Sequence, residues 1–419
     1  MSHPSPPADD WLDAECRRLL AFGDRITDNH VRGAAWLDED GAVDPSRPVH
    51  TWITSRTVHV YSLGHLLGVE GGTSIASAAL DGLRTTLHDD EHGGWFTAVD
   101  ASGEPTSTAK SCYDHAFVML AASSAAVAGL PGAAALLAEA TEIFERHFWD
   151  EAVGRVLDEW DRAWTEPTPY RGLNSSMHSV EAMLAVGDVT GERVWHERAG
   201  RVAAHVVELA AAHDGRLPEH FGPDWSVDLE LNRDRPDDPF KPFGATIGHG
   251  LEWSRLLLHV EATLGGVAPA GLAETARLLF DRAVTDGWAV DGAPGFVYTT
   301  DWDGTPVVRN RMHWVAAEGI AAAAALHRHT GEEAYAERYT QWWAYVDEHL
   351  RDVERGSWHH ELDPTNRPRS SVWPGKPDLY HAVQATLLPR LPLSPSLASA
   401  LAQRSGIVGR GPATGMMGA

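Results

Sequence analysis

A unit of about 60 residues recurs along this chain, and each unit contains two helical stretches and one long loop. Each long loop begins near a Gly, continues with aromatic or apolar residues and ends in acidic and turn residues. Two of them are GGWFTAVDASGEP at 93–105 and GAPGFVYTTDWDGTP at 292–306. A period of this size is typical of an array of identical supersecondary units. The loop glycines are spaced by about 60 residues, with one interval of about 80: Gly94, Gly154, Gly215, Gly295 and Gly356.

Apolar spacing predicts twelve helices, the first at 9–27 and the last at 377–390. Their connections alternate between long loops and short links such as 187–191 and 330–332, and the short links force antiparallel neighbours. Six such hairpins could stack as an open solenoid or close into a ring. Because the five long loops emerge at one end, the pattern favours an all-α fold, an (α/α)6 barrel whose mouth carries short β-hairpins.

Composition limits the partners and the compartment. Of the 419 residues, 43% are hydrophobic and 22% are charged, as in ordinary globular proteins, so we expect one catalytic domain at 9–404. The segments 1–8 and 405–419 are rich in Pro, Gly and Ser and are predicted to be flexible tails. A net charge of −25 argues against nucleic-acid and anionic membrane partners. The chain shows no membrane-length apolar run, no signal-peptide pattern and no CxxC spacing, so we expect a cytoplasmic protein.

The helices that follow the long loops carry unusual polar and aromatic residues in their opening turns. Asn174 and His178 are four residues apart and His249 and Glu252 are three apart, so each pair shares one helix face. A lone His or Trp at a helix start is usually a cap or core residue, but recurrence in successive units favours a shared site at the mouth. The candidate site residues are Trp52, Arg56, Tyr113, Asp114, Asn174, His178, His249, Glu252, Trp314, Glu318 and His381.

Other chemistries fit the sequence less well. The HxxE pair lacks the second His of a metalloprotease motif, and no phosphate-binding, dinucleotide-binding or GxSxG motif is present. A glycoside hydrolase could pair Asp114 with Glu252 or Glu318, but the histidines would then have no role. A helical-repeat binding scaffold would need no His and Glu at one rim. The 17 Trp against 10 Phe and 8 Tyr suit sugar rings, and several are expected to form an aromatic rim: Trp52, Trp95, Trp160, Trp164, Trp225, Trp302, Trp314, Trp358 and Trp373.

Five motifs occur in order over about 10–395: TWITSRTVHVYS (51–62), NSSMHSVEA (174–182), FGATIGHGLEWSRLL (243–257), MHWVAAEGI (312–320) and KPDLYHAVQ (376–384). In them the chain resembles the N-acylglucosamine 2-epimerase superfamily, and its KPDLYH segment is similar to the aldose–ketose isomerase branch. The resemblance implies an (α/α)6 barrel with a sugar site at the mouth, without metal or organic cofactor.

The resemblance also implies roles. His381 matches the base and acid for the carbon-bound proton and His249 the second acid and base, with Glu252 as the carboxylate that would hold His249 in one tautomer. Arg56 and His178 are expected to stabilise an enediolate. Sugar contacts are expected from Trp52, Tyr113, Asp114, Asn174, Trp314 and Glu318.

The implied reaction interconverts D-mannose and D-fructose, and by extension D-lyxose and D-xylulose, through a cis-enediol. A sulfoquinovose isomerase and a sugar 2-epimerase remain alternatives. A sulfonated sugar needs a fixed cation, and candidates in or beside the long loops are Arg233, Arg235, Lys241 and Arg309. The acids in the same segment favour a neutral hexose, for whose far end His360 and Trp373 are further candidates. The protein is expected to be a monomer or a homodimer.

Overall fold

A computed structural model describes residues 5–405, so half of the predicted N-terminal tail (1–4) and nearly all of the predicted C-terminal tail (406–419) lie outside the described residues. The described part of the chain contains thirteen α-helices. They are α1 (Asp9–Phe22), α2 (Thr51–Leu66), α3 (Gly72–Arg84), α4 (Cys112–Val127), α5 (Ala133–Ile143), α6 (Leu173–Thr190), α7 (Arg193–Ala212), α8 (Ile247–Leu264), α9 (Leu272–Gly287), α10 (His313–Thr330), α11 (Glu333–Tyr345), α12 (Tyr380–Leu387) and α13 (Leu397–Arg404).

The structure corrects the predicted helices at both ends of the chain. Helix α1 ends at Phe22 and not at residue 27, because Gly23 follows and the chain turns. Helix α12 begins at Tyr380 and not at 377, because Pro377 precedes it and the Asp378 carboxylate accepts the backbone N–H of Tyr380 at 2.9 Å. Helix α13 is not predicted, since eight residues after a Pro-rich segment are too few to show a period.

The even-numbered helices α2 to α12 form a closed inner ring. Each packs against the next one, and α12 packs against α2, which completes the (α/α)6 barrel predicted from the repeat. The odd-numbered helices α3 to α11 lie outside, each against the inner helix before it, and α1 packs on α12. Every residue of α2 except His65 is buried, as expected for a helix enclosed on all sides, whereas α3 buries one face.

The long loops contain fifteen strands of two or three residues within residues 5–405. They are β1 (Val49–His50), β2 (Ala98–Val99), β3 (Pro105–Ser107), β4 (Lys110–Ser111), β5 (Trp149–Asp150), β6 (Arg155–Val156), β7 (Glu159–Trp160), β8 (Arg171–Gly172), β9 (His220–Phe221), β10 (Ala245–Thr246), β11 (Thr299–Thr300), β12 (Pro306–Val308), β13 (Arg311–Met312), β14 (Glu361–Leu362) and β15 (Pro368–Arg369).

These strands tie each unit of the barrel to the next. Strands β1, β4, β8, β10 and β13 lie directly before inner helices, and each pairs antiparallel with a strand of the following long loop, namely β2, β7, β9, β11 and β14. The predicted hairpins are present as β2–β3, β5–β6, β11–β12 and β14–β15. The backbone at the start of five inner helices is therefore fixed by hydrogen bonds, which positions their opening turns.

The opposite end of the barrel is covered by α13, which packs against α2, α4 and α6. The Ser405 hydroxyl donates to the carbonyl of Leu66 at the end of α2, and the Ser396 N–H donates to Asp188 near the end of α6. Within residues 5–405, no helix has both the length and the hydropathy that a bilayer crossing requires.

Candidate active site

The opening turns of the inner helices surround a cavity of about 690 Å³, open solvent included, at the mouth of the barrel. Nine of the eleven candidate residues line it: Trp52, Arg56, Tyr113, Asn174, His178, His249, Glu252, Trp314 and His381. Asp114 and Glu318 lie outside the lining.

His381 is backed by a buried carboxylate. Its Nδ1 lies 2.9 Å from Oε1 of Glu318, and the Glu318 side chain is 1% exposed. Burial lowers the pKa of His381 well below the usual range, and Arg56 lowers it further, so the imidazole is neutral near pH 7. A carboxylate only accepts hydrogen bonds, so Nδ1 carries the proton and the lone pair is on Nε2. Glu318, predicted as a sugar contact, instead supports His381 from behind.

His249 has a similar arrangement, but its partner is not the predicted one. The Nδ1 of His249 lies 2.9 Å from Oε1 of Glu219, a buried residue of the loop before β9. The prediction that Glu252 holds His249 in one tautomer is therefore wrong: the two residues share a helix face, but the Glu252 carboxylate lies beside His178 and Arg255 instead.

Trp314 lies between the two supported imidazoles. Its ring centre is 5.2 Å from that of His249 and 5.6 Å from that of His381, with interplanar angles of 38° and 35°. Trp314 therefore contacts both rings at the wall of one cavity. Two imidazoles with free Nε2 atoms, fixed on either side of one indole, can exchange protons with a single small molecule.

Arg56 is held by contacts on several sides. One guanidinium nitrogen pairs with Asp378, another donates to the Tyr113 hydroxyl at 3.1 Å, and the Nε has no hydrogen-bond partner among residues 5–405. The guanidinium also packs over the Phe117 ring, 4.3 Å from its centre. Burial disfavours a charged Asp378, but the adjacent Arg56 outweighs it and the pKa of Asp378 is below its usual value. Arg56 thus presents a fixed positive charge to the cavity.

His178 and Glu252 form a second polar group of the cavity wall. The Nδ1 of His178 lies 3.8 Å from Oε2 of Glu181 and 3.9 Å from Oε1 of Glu252. Burial lowers the pKa of His178 to about 4, so this imidazole is neutral near pH 7. Burial, together with the nearby Glu318, raises the pKa of Glu252 well above its usual value. Glu252 is therefore disposed to hold a proton that it can donate to a ligand.

Several lining atoms lack a partner within the described part of the chain. They are buried side-chain atoms that need hydrogen bonds, and a polyhydroxylated ligand would supply them. Asn174 offers a carbonyl oxygen that can accept from a hydroxyl. The atoms are Arg56 Nε, Asn174 Oδ1, His178 Nδ1, Glu252 Oε1, His313 Nε2 and His360 Nε2.

His313 and His360 form a stacked pair at the cavity wall, and only His360 was a candidate from sequence. Their rings stack with centres 4.0 Å apart and an interplanar angle of 10°, and both rings line the cavity. The Nδ1 of His313 lies 3.2 Å from the carbonyl oxygen of His360, so the Nε2 of His313 is left as an acceptor. His360 was a sequence candidate, whereas His313 was overlooked because it directly precedes Trp314 on the same turn.

Asp114 lies outside the cavity lining. It is 1% exposed in the first turn of α4, and burial raises its pKa to about 8, while hydrogen bonds from Thr97 and Ser111 and from the Trp52 backbone oppose the increase. The prediction that it contacts sugar is not supported by this placement. The residue one position earlier, Tyr113, occupies the face of α4 that borders the cavity.

An aromatic cover closes part of the mouth, and it is smaller than the predicted rim. It consists of Trp52, Phe240 and Trp373, whose ring centres are 5.5 to 6.4 Å apart. Of the nine tryptophans of the predicted rim, Trp52, Trp314 and Trp373 line the cavity. The others do not line it. Among these, Trp95 and Trp358 are fully buried.

The segment that carries Trp373 is fixed by one buried carboxylate. Oε2 of Glu361 accepts the backbone N–H groups of Ser371, Val372 and Trp373 at 2.8, 2.8 and 3.3 Å. Three donors on one carboxylate oxygen restrict this segment strongly. Trp373 is thereby held over the cavity.

Among residues 5–405, two groups of side chains have donor atoms close enough together to hold a metal ion: His178 with Glu181 and Glu252, and Glu252 with Glu318 and His381. The Arg255 guanidinium lies 3.1 Å from Glu318 and 3.5 Å from Glu252 and supplies positive charge at this point. The negative charge of Glu252 and Glu318 is thus already balanced in part by the Arg255 guanidinium.

Comparisons with known proteins agree with this architecture. A model of the N-acylglucosamine 2-epimerase (GlcNAc 2-epimerase) family matches residues 33–385. The chain is 54% identical to D-mannose isomerase of Thermobifida fusca, over 94% of this chain and 96% of that protein. It is 45% identical to D-mannose isomerase of Pseudomonas cannabina pv. alisalensis, over 95% and 96%. A crystal structure of a D-mannose isomerase superposes with a TM-score of 0.86 at 27% identity, over 93% of this chain and 99% of that one.

Proposed function

Because the chain belongs to the N-acylglucosamine 2-epimerase family, we propose that it interconverts D-mannose and D-fructose at the mouth of its barrel. The enzyme is an isomerase and its substrate is a small sugar. The observation that carries the proposal is the pair of imidazoles on either side of Trp314, each with a buried carboxylate at Nδ1.

The reaction moves a proton from C2 of the open-chain aldose to C1, while O1 and O2 exchange a proton. His381 is neutral near pH 7 and its Nε2 borders the cavity, so it takes the C2 proton and returns it to C1 on the same face of the enediol. Glu318 stabilises the imidazolium that forms in between. His249, supported by Glu219, opens the sugar ring and passes the proton between the two oxygens.

The enediolate carries negative charge on oxygen, and we expect three neighbouring side chains to stabilise this charge. Arg56 presents a guanidinium that is held in place by Asp378. Glu252 can donate a proton, because its raised pKa favours the protonated carboxyl group. His178 contributes its Nδ1, which has no protein partner among the described residues, whereas the Oδ1 of Asn174 is an acceptor and receives a hydrogen bond from a sugar hydroxyl instead. One oriented contact of this kind lowers a barrier by about 3 kcal/mol.

The cavity suits a neutral sugar better than a sulfonated one. Among residues 5–405, Arg56 is the one Lys or Arg in the lining, and it is paired with Asp378. Arg233 pairs with Glu230 and Asp301, and the other candidate cations, Arg235, Lys241 and Arg309, also lie outside the lining. An anionic group at the far end of the sugar would therefore have no free cation in the lining.

A product assay tests the proposal. D-mannose, D-lyxose, D-glucose, sulfoquinovose and N-acetylglucosamine are incubated separately with the enzyme, and the products are separated by chromatography. We expect D-fructose from D-mannose and little conversion of sulfoquinovose or N-acetylglucosamine. D-glucose as the main product from D-mannose would indicate a 2-epimerase instead, because the two reactions share the first step and differ in where the proton returns. The location in the cytoplasm and the state as a monomer or homodimer remain predictions.

A further inference from the structure

Arg255 lies in the barrel interior, behind the sugar cavity and outside its lining. It is on α8, three residues after Glu252, and is 2% exposed. Its Nε and Nη2 are each 3.1 Å from Oε2 of Glu318, and its Nη2 is 3.5 Å from Oε1 of Glu252. The other oxygen of Glu318 is the partner of His381 Nδ1 at 2.9 Å. A continuous chain of contacts therefore connects Arg255 to the base of the reaction.

The surroundings of Glu318 are acidic. The carboxylates of Glu252 and Glu318 are buried and that of Glu181 is nearly so, and uncompensated charges are costly in such surroundings. Burial raises the pKa of Glu318, and Arg255 is the largest influence in the opposite direction. Without this cation, Glu318 would bind a proton more readily.

We infer that Arg255 is a positioning residue for isomerisation, which keeps Glu318 as a carboxylate and thereby keeps the lone pair of His381 Nε2 directed at the sugar. The inference rests on the proposed function and adds a residue that does not touch the substrate.

The tautomer of His381 is the link between Arg255 and the chemistry. A Glu318 carboxylate accepts from Nδ1–H, which leaves Nε2 free as the base. A protonated Glu318 would donate to Nδ1 instead, so the ring proton would move to Nε2 and the cavity would lose its base. A neutral Glu318 would also stabilise the imidazolium form of His381 less well.

The inferred role of Arg255 predicts the direction in which kcat changes with pH. Arg255 lowers the pKa of Glu318, so a variant without the cation ionises Glu318 at higher pH than the wild type does. Its kcat should then rise with pH across a range where the wild-type kcat is level. The charged and titratable groups around Glu318 are Arg255, Glu252 and His259 from α8, His178 and Glu181 from α6, His381 and Tyr380 from α12, and Arg56 from α2.

The test compares R255M, R255K and a control, R311M, on D-mannose between pH 5.5 and pH 9.5. Arg311 is a suitable control because it is 1% exposed and pairs with a buried carboxylate, Asp291, outside the cavity lining. We expect R255M to lose about 10²-fold in kcat at pH 7 with little change in KM, and to recover activity as pH rises. R255K keeps the charge and should keep the wild-type pH profile. R311M should lower the melting temperature without moving the profile.

An R255M profile parallel to that of the wild type, however large the uniform loss, would overturn the inference. If R255M does not fold, E318Q and R255K decide: E318Q, which has no group that ionises at this position, must show a lowered kcat without an alkaline rise, and R255K must keep its activity and profile. Wild-type kcat or an alkaline rise in E318Q, or an added alkaline rise in R255K, overturns the inference. An inactive wild type would instead contradict the proposed function, so the two failures are distinguishable.

Discussion

Neutralising Glu219 tests whether the loop carboxylate, and not Glu252, supports His249. In Glu219→Gln the amide oxygen can still accept from Nδ1–H of His249, so the geometry and the tautomer are kept and the negative charge is removed. The bond spans 2.9 Å, and Glu219 and His249 are 4% and 8% exposed, so solvent screens it weakly.

The expected magnitude follows from that geometry. A hydrogen bond to a charged group contributes about 1.5 to 3 kcal/mol. Because His249 becomes positively charged while it relays the proton, this contribution is lost mainly in the transition state. At about 1.4 kcal/mol per factor of ten, kcat should fall about 10- to 10²-fold, while KM changes little.

Initial rates of D-fructose formation from D-mannose, measured over a range of substrate concentrations at pH 7.5, give both constants. Glu230→Gln is the matched control, because it removes the same charge from an exposed carboxylate of the same long loop, outside the cavity lining. It should leave kcat and KM unchanged. Wild-type kcat in Glu219→Gln, or a loss confined to KM, would refute the assigned role of Glu219.

Three further predictions follow from the site. His381→Ala should abolish exchange of the C2 proton of D-mannose with solvent while the fold, checked by circular dichroism, persists; wild-type exchange would refute its role as the base. Arg56→Ala should lower kcat about 10²-fold, measured as D-fructose formation, and an unchanged kcat would remove Arg56 from the reaction. Burial lowers the pKa of His59, His178 and His313 from 6.5 to about 4, so the unfolded chain binds protons that the folded one does not, and stability is lost as pH falls from 6.5 to 4. The urea midpoint should fall over this range, and a flat midpoint would contradict the burial of neutral histidines.

The barrel could be predicted from sequence because it repeats. The period of the loop glycines, the short links and the polar opening turns all describe one unit, and the closed ring of inner helices repeats that unit around an axis. Helix ends and the short α13 could not be predicted, because they depend on local contacts such as the Asp378 carboxylate at the start of α12.

The residues of the cavity wall that lie in the opening turns of the inner helices could be predicted from sequence. Glu219 could not be found by helix spacing, because it reaches His249 from a loop 30 residues earlier in the chain. The positions of residues relative to the loop glycines did contain information about Glu219. Glu219 and His360 each follow their loop glycine, Gly215 or Gly356, by four residues, and the carbonyl of each accepts the first N–H of an inner helix. Aligning the loops by their glycines would have placed both side chains at the mouth.

The sequence pattern does not predict which side chains of different units contact each other. Glu252 shares a helix face with His249, yet a turn of helix between them leaves Glu252 deeper in the barrel, beside Arg255. The pairing of Glu318 with His381 joins helices 63 residues apart. Which carboxylate serves which imidazole is decided by the packing of the ring, and only the structure contains that information.

In the proposed reaction a single base, His381, moves the C2 proton of an aldose to C1 within this cavity. Incubation with D-mannose in D₂O, followed by NMR and mass spectrometry of the recovered sugars, tests it most directly. The proton that His381 carries from C2 to C1 can exchange with solvent before it is returned, so part of the D-fructose should carry deuterium at C1, and His381→Ala should form none. Deuterium incorporation by His381→Ala, or the absence of both D-fructose and deuterium incorporation with the wild type, would contradict this mechanism.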